Sequence, residues 1–416
     1  MASKLQDLIN RLCPNGVEYR KLGDCVTKIT DGMHNLPKEI SSNGEFPIIS
    51  AQNVNNGLID ISTTKFVPRS VFEIENRRTN VSIGDVLLTI VGAVGRVAVV
   101  KEDIHVLCQR SLCVIKPVKG IVAPKFLGYV LEGVECQQYM AVNAHGAAQK
   151  GLYLDQVSKM LIPVPPLEVQ SEIVQILDNF AELTAELTAE LTAELEKRKK
   201  QYEHYRRALL CGVESSELRV ESSAWPMVKL GDVCEMKAGK AIAAVNISAE
   251  LDEQHPVACY GANGFRGYVA EPNQDGDHCI IGRQGALCGN VCFASGRFYA
   301  TEHAVVVTQL GKYDDRYLYH MLTEMDLNQY KSQGAQPGLS VGKLEELSIP
   351  LPPLAEQRRI VSILDRFDRL CNDLTSGLPA EIAARKKQYA YYRDKLLDFK
   401  PAPKGCGAAS NRKGAA

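Results

Sequence analysis

His278, Cys279, Cys288, Cys292 and His303 form the densest group of potential metal ligands in the chain. Zinc sites take thiolates and imidazoles at short paired spacings that close a tetrahedron. These five reproduce no familiar zinc pattern, so no bound metal is expected. Asp252-Glu253-Gln254-His255 imitates the acidic box of a helicase. That box acts on nucleotide phosphates, and the chain has no GxxxxGK[ST] loop to cradle them; the four residues read as a turn. Val164-Pro165-Pro166-Leu167 and Leu351-Pro352-Pro353-Leu354 share two prolines with the Asn/Asp-Pro-Pro-aromatic motif of amino methyltransferases, but both outer positions are wrong. No GxGxxG follows a candidate strand, so no dinucleotide site is expected. No Ser/His/Asp arrangement can be argued. The expectation is a non-catalytic protein that binds no cofactor of its own.

The elements that would position any site come from 416 residues, a length that favours two or three domains. With 45% apolar residues, folded cores are within reach. No run of about 18 apolar residues occurs, so no membrane span is expected. The stretch Met1–Asn10 lacks the charged-then-apolar pattern of a secretion signal. The 13 cysteines are odd in number and include no CxxC pair, which points to buried free thiols in a reducing cytoplasm. A formal net charge of −1 gives no overall basic signature. By segment the charge is +3 over 1–160, −3 over 161–212, −7 over 213–350 and +6 over 351–416. A chain that grips a polyanion with a region at −7 needs local basic loops or charge from partners.

The chain is a duplication. IPVPPLEVQSEIVQILDNF from Ile162 and IPLPPLAEQRRIVSILDRF from Ile349 align at a shift of 187 residues. The same shift aligns RKKQYEHYRRALL from Arg198 with RKKQYAYYRDKLL from Arg385. Looser echoes lie upstream: RKLGD at Arg20 and VKLGD at Val228, GDVLLTIVGAVGRVAVV at Gly84 and GDHCIIGRQGALCGNVCF at Gly276, GAAQKGL at Gly146 and GAQPGL at Gly334. The order is therefore head, helix, head, helix. The heads read as mixed α/β and strand-rich, with apolar runs such as VLLTIV and AVVV bounded by Gly, Asn and Asp. The first helix is predicted from Leu167 to Cys211 with Gly212 as its stop, a rod of roughly 66 Å. The second is predicted from Leu354 to about Phe399, broken near Gly377 and Pro379. Between Thr184 and Leu195 the tetrapeptide TAEL occurs three times in a row. Repetition by four advances a helix by about 400°, so the apolar stripe drifts about 40° per repeat. Phe180, Leu183, Leu187, Leu191, Leu195 and Tyr202 are expected to pair with Phe367, Leu370, Leu374 and Tyr389 of the second helix, running antiparallel, as the seam of a two-helix spacer between the heads.

IP-x-PPL-xx-Q-xx-I, a long helix with KKQY, and a second divergent copy together resemble the specificity subunit of type I restriction-modification enzymes. GDVLLTIVGAVGRVAVV with QRSLCVIKP, and GDHCIIGRQGALCGN with TEHAVVV, look like that family's target-recognition domains. The TAEL run is similar to a tetrapeptide repeat found in some members at this position. The resemblance covers about residues 17–400. It implies a first target-recognition domain over 1–160, a spacer helix over 161–212, a second target-recognition domain over 213–348 and a second spacer helix over 349–400. The composition of KPAPKGCGAASNRKGAA leads to the expectation of a disordered tail over 401–416. The resemblance implies double-stranded DNA as ligand, each head taking one half of a split asymmetric site. Two methyltransferase subunits and restriction (translocase) subunits would be the partners, carrying S-adenosylmethionine, ATP and Mg²⁺. One TAEL unit turns a helix about 40° and lengthens it about 6 Å, close to the ~35° step between base pairs, so the repeat would act as a ruler. Base edges are read by Arg, Asn, Gln and Lys on loops. The candidates are His34, Asn35, Gln52, Asn53, Arg96, Gln109 and Arg110 in the first head, and Asn263, Arg266, Arg283, Gln284 and Arg297 in the second. Gly92, Gly95, Gly282 and Gly285 are expected to serve tight turns. The alternative is a two-headed adaptor joining two protein partners without DNA.

Overall fold

In the computed structural model the apolar runs become short strands. Val26–Asp31 (β1), Val86–Thr89 (β2), Val97–Val99 (β3) and Leu112–Pro117 (β4) form one antiparallel sheet in the order β1-β4-β2-β3. Downstream, Cys234–Ala238 (β5), His278–Gly282 (β6), Val291–Ala294 (β7) and Ala304–Gln309 (β8) repeat that order as β5-β8-β6-β7. The structure describes residues 2–62, 64–146, 151–211, 225–285, 288–332, 337–373 and 375–403. Gly212, Leu374, parts of the GAAQKGL and SQGAQPG loops and residues 404–416 of the tail lie outside them.

Period-2 geometry sends alternate residues of each sheet to opposite faces. In the first head Val86, Leu88, Cys113 and Ile115 pack with Phe126, Leu127 and Leu131 of the helix Pro124–Glu132. Leu87, Ala98, Leu112 and Val114 face the other way, toward Ile49, Val54 and Cys108. Both faces are covered, which is why these strands are continuous apolar runs. The second face meets a three-stranded sheet in which Phe46–Ile49 pairs antiparallel with Lys65–Val67 and parallel with Leu107–Cys108. The second head has the same piece: Val257–Gly261 pairs antiparallel with Gly264–Val269 and parallel with Phe298–Ala300. The duplication thus extends to the topology of these sheets even where the sequences have diverged; the first head adds a two-stranded ribbon, Val54–Asn55 with Leu58–Ile59, without a counterpart among the described residues of the second.

Each head is tied to the helix that follows it. Tyr19–Lys21 pairs with Leu161–Pro163, and Met227–Lys229 with Ser348–Pro350. The prolines then hand over to α1 (Leu167–Cys211) and to α2 (Leu354–Asn372). The motif glutamine fixes both handovers. Gln170 is fully buried; its Oε1 accepts from Ala123 N at 2.8 Å, and its Nε2 donates to Ile121 O and Pro165 O, each at 2.8 Å. Gln357, 187 residues on, accepts from Asp314 N at 2.7 Å and donates to Lys312 O and Pro352 O.

The predicted span of α1 is the observed one, an unbroken helix of 45 residues. The break expected near Gly377 is present: α2 stops at Asn372, and α3 (Leu378–Leu397) begins after Asp373 has capped Thr375 N at 2.7 Å. A Cβ at Gly377 would lie 2.5 Å from Arg369 O, so only glycine fits that corner.

The chain divides into two units, Met1–Thr188 with Ala383–Ala416, and Ala189–Ile382. The helices are therefore shared between units, and the seam differs from the expected continuous stripe. Val169, Ile173 and Leu177 belong to the first core, with Leu397 of α3. Leu195, Tyr202, Leu209 and Leu210 belong to the second, with Ile360 and Leu364 of α2. Between them Leu183 is 63% exposed, Leu187 36% and Phe180 39%. Leu191 is half-buried. The drift of a fourfold repeat on a 3.6-residue helix rotates these leucines away from any one face. Leu370 is also exposed, whereas Phe367 and Tyr389 are half-buried. In the second unit Tyr202 and Tyr205 pack on the Phe367 ring, while Arg198 and Lys199 act on Cys371, so α1 and α2 run antiparallel there.

Polar clips hold the distal ends. In the second unit the Tyr202 hydroxyl lies 3.1 Å from His320 Nδ1, and His320 Nε2 lies 2.7 Å from Asp365 Oδ1, which Arg316 also reaches at 2.7 Å. In the first, Tyr129 donates to Asp178 at 2.7 Å, and Lys125 reaches the same carboxylate at 2.6 Å. The 187-residue shift maps Tyr202 on Tyr389 and Asp178 on Asp365, so the repeated KKQY tyrosine serves one clip in each unit. Burial pushes Tyr389 up to about 12 and also raises Tyr202 and Tyr129.

Candidate nucleic-acid interface

Sheet topology brings loops from three parts of the first head to one place. Gln52 comes from the turn Ala51–Asn53 that follows Phe46–Ile49. Arg96 comes from the β2–β3 hairpin, which turns through Gly92 and Gly95, both at positive φ. Gln109 and Arg110 come from the turn before β4. Together they line an open cavity of about 550 Å³ whose remaining wall is largely Val91, Gly92, Ala93 and Ser111. The turn is held by its backbone: Gln109 N donates to Ile49 O, and Leu112 N to Gln109 O, each at 2.9 Å. The Gln52 and Arg110 side chains are exposed and Gln109 is half-buried. The exposed Arg96 guanidinium makes a long 3.5 Å bond to Val54 O.

The other candidates of this head play different parts. Asn53 caps its own turn, accepting from Ser50 N at 2.9 Å and donating to Asp60 O at 2.7 Å, so its amide is spent internally. His34 lies 2.8 Å from Asp31 Oδ2, and that carboxylate, held low by Arg78 and His34 against the opposing effect of burial, is part-buried. His34 and Asn35 follow Met33, which bridges Gln109, but neither lines the cavity.

The second head builds the same place with a shorter hairpin. Val257–Gly261 turns directly through Ala262 and Asn263 into Gly264–Val269. A Cβ on Gly282 would lie 1.8 Å from Ala262 O, so this glycine is required by the hairpin's approach to the sheet and not by a tight turn. That approach brings the turn carrying Asn263 against Gly282, the residue before Arg283. Arg266 comes close as well: a Cβ on Gly261 would meet Arg266 Cδ and Thr301 Oγ1, each at 3.4 Å. Gln284 follows Arg283 and bridges Gly338. Arg297 sits at the far end of the strand Phe298–Ala300, away from Thr301. The residue equivalent to Arg96 is Asn290, because Thr89 N donates to Arg96 O as Gly282 N donates to Asn290 O.

Asn290, Thr301, Glu302 and His303 are the residues that reading the sequence missed. For Thr301, Glu302 and His303 the signal was present in the pairing of QRSL with TEHA, but a preference for Arg, Asn, Gln and Lys passes over Thr and Glu; Asn290 is identified only by its place in the β6–β7 hairpin.

The metal-like cluster does not assemble: among the described residues no three His, Cys, Asp or Glu side chains come together to hold an ion. Cys279 and Cys288 are buried in the core. Burial pushes Cys108 and Cys234 up to about 12, which leaves thiols without nucleophilic character at neutral pH. Asp252 forms the expected turn, accepting from Gln254 N and His255 N. No helix among the described residues is long and apolar enough to cross a membrane.

The type I restriction modification DNA specificity domain family matches residues 14–197 and again 222–384. The chain is 50% identical over 229 residues to the specificity subunit of the type I restriction enzyme EcoprrI of Escherichia coli, a match over 53% of this chain and 56% of that one. It thus aligns with only a little over half of that relative's length. A putative type I restriction enzyme specificity subunit of Haemophilus influenzae is 32% identical over 292 residues, covering 66% and 72%. Among solved structures, the S subunit of a type I restriction-modification system from M. genitalium shares the fold at 18% identity and a TM-score of 0.51, over 92% and 96% of the two chains. A chain from a structure on complex assembly and conformational transition of the type I R-M system reaches 0.62 over 92% and 98%, also at 18% identity.

Proposed function

Because the chain belongs to the type I restriction modification DNA specificity family, we propose that each of its heads reads one half of a split, asymmetric sequence in double-stranded DNA. The observation that carries this reading is the convergence of Gln52, Arg96, Gln109 and Arg110 on one open cavity from three separate loops. Their chemistry suits base edges: arginine donates to guanine O6 and N7, and glutamine pairs with adenine N6 and N7. Such a scaffold changes its target by changing loop residues while the sheet beneath stays fixed, and the two heads differ in that way. The chain is the recognition component and performs no chemistry itself. Two adenine methyltransferase subunits supply S-adenosylmethionine, and restriction subunits supply ATP and Mg²⁺. The complex acts in the prokaryotic cytoplasm. With the second head region at −7, part of the phosphate contact comes from those partners.

The test is to co-express the chain with the methyltransferase subunits of its own system and to map methylated adenines across a genome. One bipartite motif should appear and vanish when the chain is deleted. Replacing residues 1–160 by another member's head should change one half of the motif and leave the other intact; a change in both halves would refute the two-head reading. The purified chain alone should transfer no methyl group. Methylation without partners would overturn the non-catalytic assignment, and tight binding to another protein irrespective of DNA would favour an adaptor.

A further inference from the structure

The turn at the cavity is the same in both heads, and its second residue carries opposite charge in each. Gln109 N donates to Ile49 O as Thr301 N donates to Tyr260 O, each at 2.9 Å. Leu112 N returns to Gln109 O as Ala304 N returns to Thr301 O. Ile90 N meets Ser111 O as Arg283 N meets His303 O. Gln109-Arg110-Ser111-Leu112 and Thr301-Glu302-His303-Ala304 therefore correspond residue by residue. Arg110 is a donor without acceptor capacity, and Glu302, when ionised, is an acceptor without a donor.

The second head also carries unsatisfied polar atoms at this turn. Glu302 Oε1 lies 3.2 Å from His303 Nε2. Glu302 Oε2, His303 Nδ1, Thr301 Oγ1 and Arg283 Nε are buried and have no hydrogen-bond partner. Elsewhere in the same fold such groups are isolated, as Asn76 Oδ1 is, or satisfied: Gln170 and Gln357 each make three bonds, and Thr89 bonds Arg96 N and Ala93 O. Orphaned buried groups are rare in folded proteins, and four from one loop pair leave hydrogen-bonding capacity unused at a turn whose Glu302 and His303 side chains are over a third exposed. A carboxylate is repelled by phosphate, so its place at a DNA surface is earned only against a donor on a base.

We propose that Glu302 is a specificity residue of the second head, accepting a hydrogen bond from an amino-bearing base edge, adenine N6 or cytosine N4, while Arg110 at the equivalent position of the first head reads an acceptor edge such as guanine. The proposal rests on the DNA-reading function above. Arg283, whose N donates to His303 O, supplies the donor to an adjacent purine acceptor. One turn thus serves two half-sites, and the hydrogen-bond polarity of one side chain sets which bases each accepts.

The experiment uses the full methyltransferase complex carrying Glu302→Gln, nearly isosteric but able to donate as well as accept, and separately Arg110→Glu. Methylated adenines are mapped genome-wide for each. With Glu302→Gln, one position in one half-site should relax from adenine or cytosine to admit guanine or thymine, and methylation of the original motif should fall about tenfold or more; the other half stays unchanged. Which base is lost tells adenine from cytosine. Arg110→Glu should alter one position in the opposite half. An unchanged motif in both variants overturns the proposal. If Glu302→Gln abolishes methylation outright, the Arg110→Glu map decides: a change confined to one position upholds it, and an unchanged motif overturns it. A wild-type complex with no bipartite motif would refute DNA reading itself, before either variant is scored.

Discussion

Gln170 makes three bonds from a site with no exposure, and each partner is a backbone group of the handover. Gln170→Ala leaves the Ala123 amide and two carbonyls unsatisfied. Buried orphans cost about 1–3 kcal/mol, so the first unit should lose about 2–3 kcal/mol, seen as a lower denaturation midpoint for that unit while the second is unchanged. His320 gives a pH prediction. Burial lowers its pKa below the usual value, and Arg316 adds to that, against the opposing pull of Asp365. Asp365 is held down to about 2 by its hydrogen bonds to His320 and Arg316. Both folded pKa values lie below their unfolded ones, so both groups contribute stability that is full at neutral pH and lost on acidification. The second unit should weaken below about pH 6.5 as unfolded histidine gains protons, and again between about 4 and 2 as Asp365 is neutralised. His320→Gln should remove the first limb and keep the second; a stability profile identical to wild type between pH 7 and 5 would refute this role. The glutamine was visible in the sequence as a repeated letter, but its work was not, because its partners lie up to 49 residues away. The cavity residues were half legible for a related reason: residue type suggested Gln52, Arg96, Gln109 and Arg110, while turn position alone identifies Glu302.

Leu177 and Leu187 occupy the same α1 and differ in what surrounds them. Leu177 is fully buried in the first core, and Leu187 is 36% exposed. Leu177→Ala should destabilise the first unit by about 2–5 kcal/mol, whereas Leu187→Asp should leave the melting of the isolated chain nearly unchanged. Circular dichroism of both variants checks this. A cooperative loss of structure with Leu187→Asp would restore the continuous seam that fourfold spacing suggested. Helix limits were legible because proline entry, 3.6-residue periodicity and glycine exit are all local signals. Strand runs were legible too. Their pairing was not: joining Tyr19–Lys21 to Leu161–Pro163, or placing Leu107–Cys108 parallel to Phe46–Ile49, depends on contacts across most of a head. The burial of the helix stripe failed as a sequence inference because periodicity shows which residues share a face and not where a core ends.

At the scale of the molecule, the TAEL run lies where α1 leaves one core and enters the other. Leu177 is the last α1 residue buried in the first core and Leu195 the first in the second, and the division between units falls at Thr188–Ala189, inside the repeat. Residues there contribute little burial, so their number can change without loss of core. Deleting Thr188–Leu191 leaves Leu187 followed by Thr192-Ala193-Glu194-Leu195, the same spacing. The variant should therefore fold, with a melting temperature close to wild type. The helix shortens by about 6 Å and turns by about 40° relative to whole turns. A base pair rises about 3.4 Å and rotates about 35°, so the deletion is nearly two steps in length but close to one in rotation. Rotation governs the outcome, because a reading surface out of phase meets the wrong side of the groove, whereas a small axial mismatch is absorbed by tilt or by bending of the DNA. The deletion complex should methylate the same two half-sites with a spacer one base pair shorter, and insertion of a fourth repeat should lengthen it by one. Adenine-methylation maps of both variants decide the matter: an unchanged spacer in both removes the ruler, and altered half-site bases would mean that α1 shapes the heads instead of spacing them.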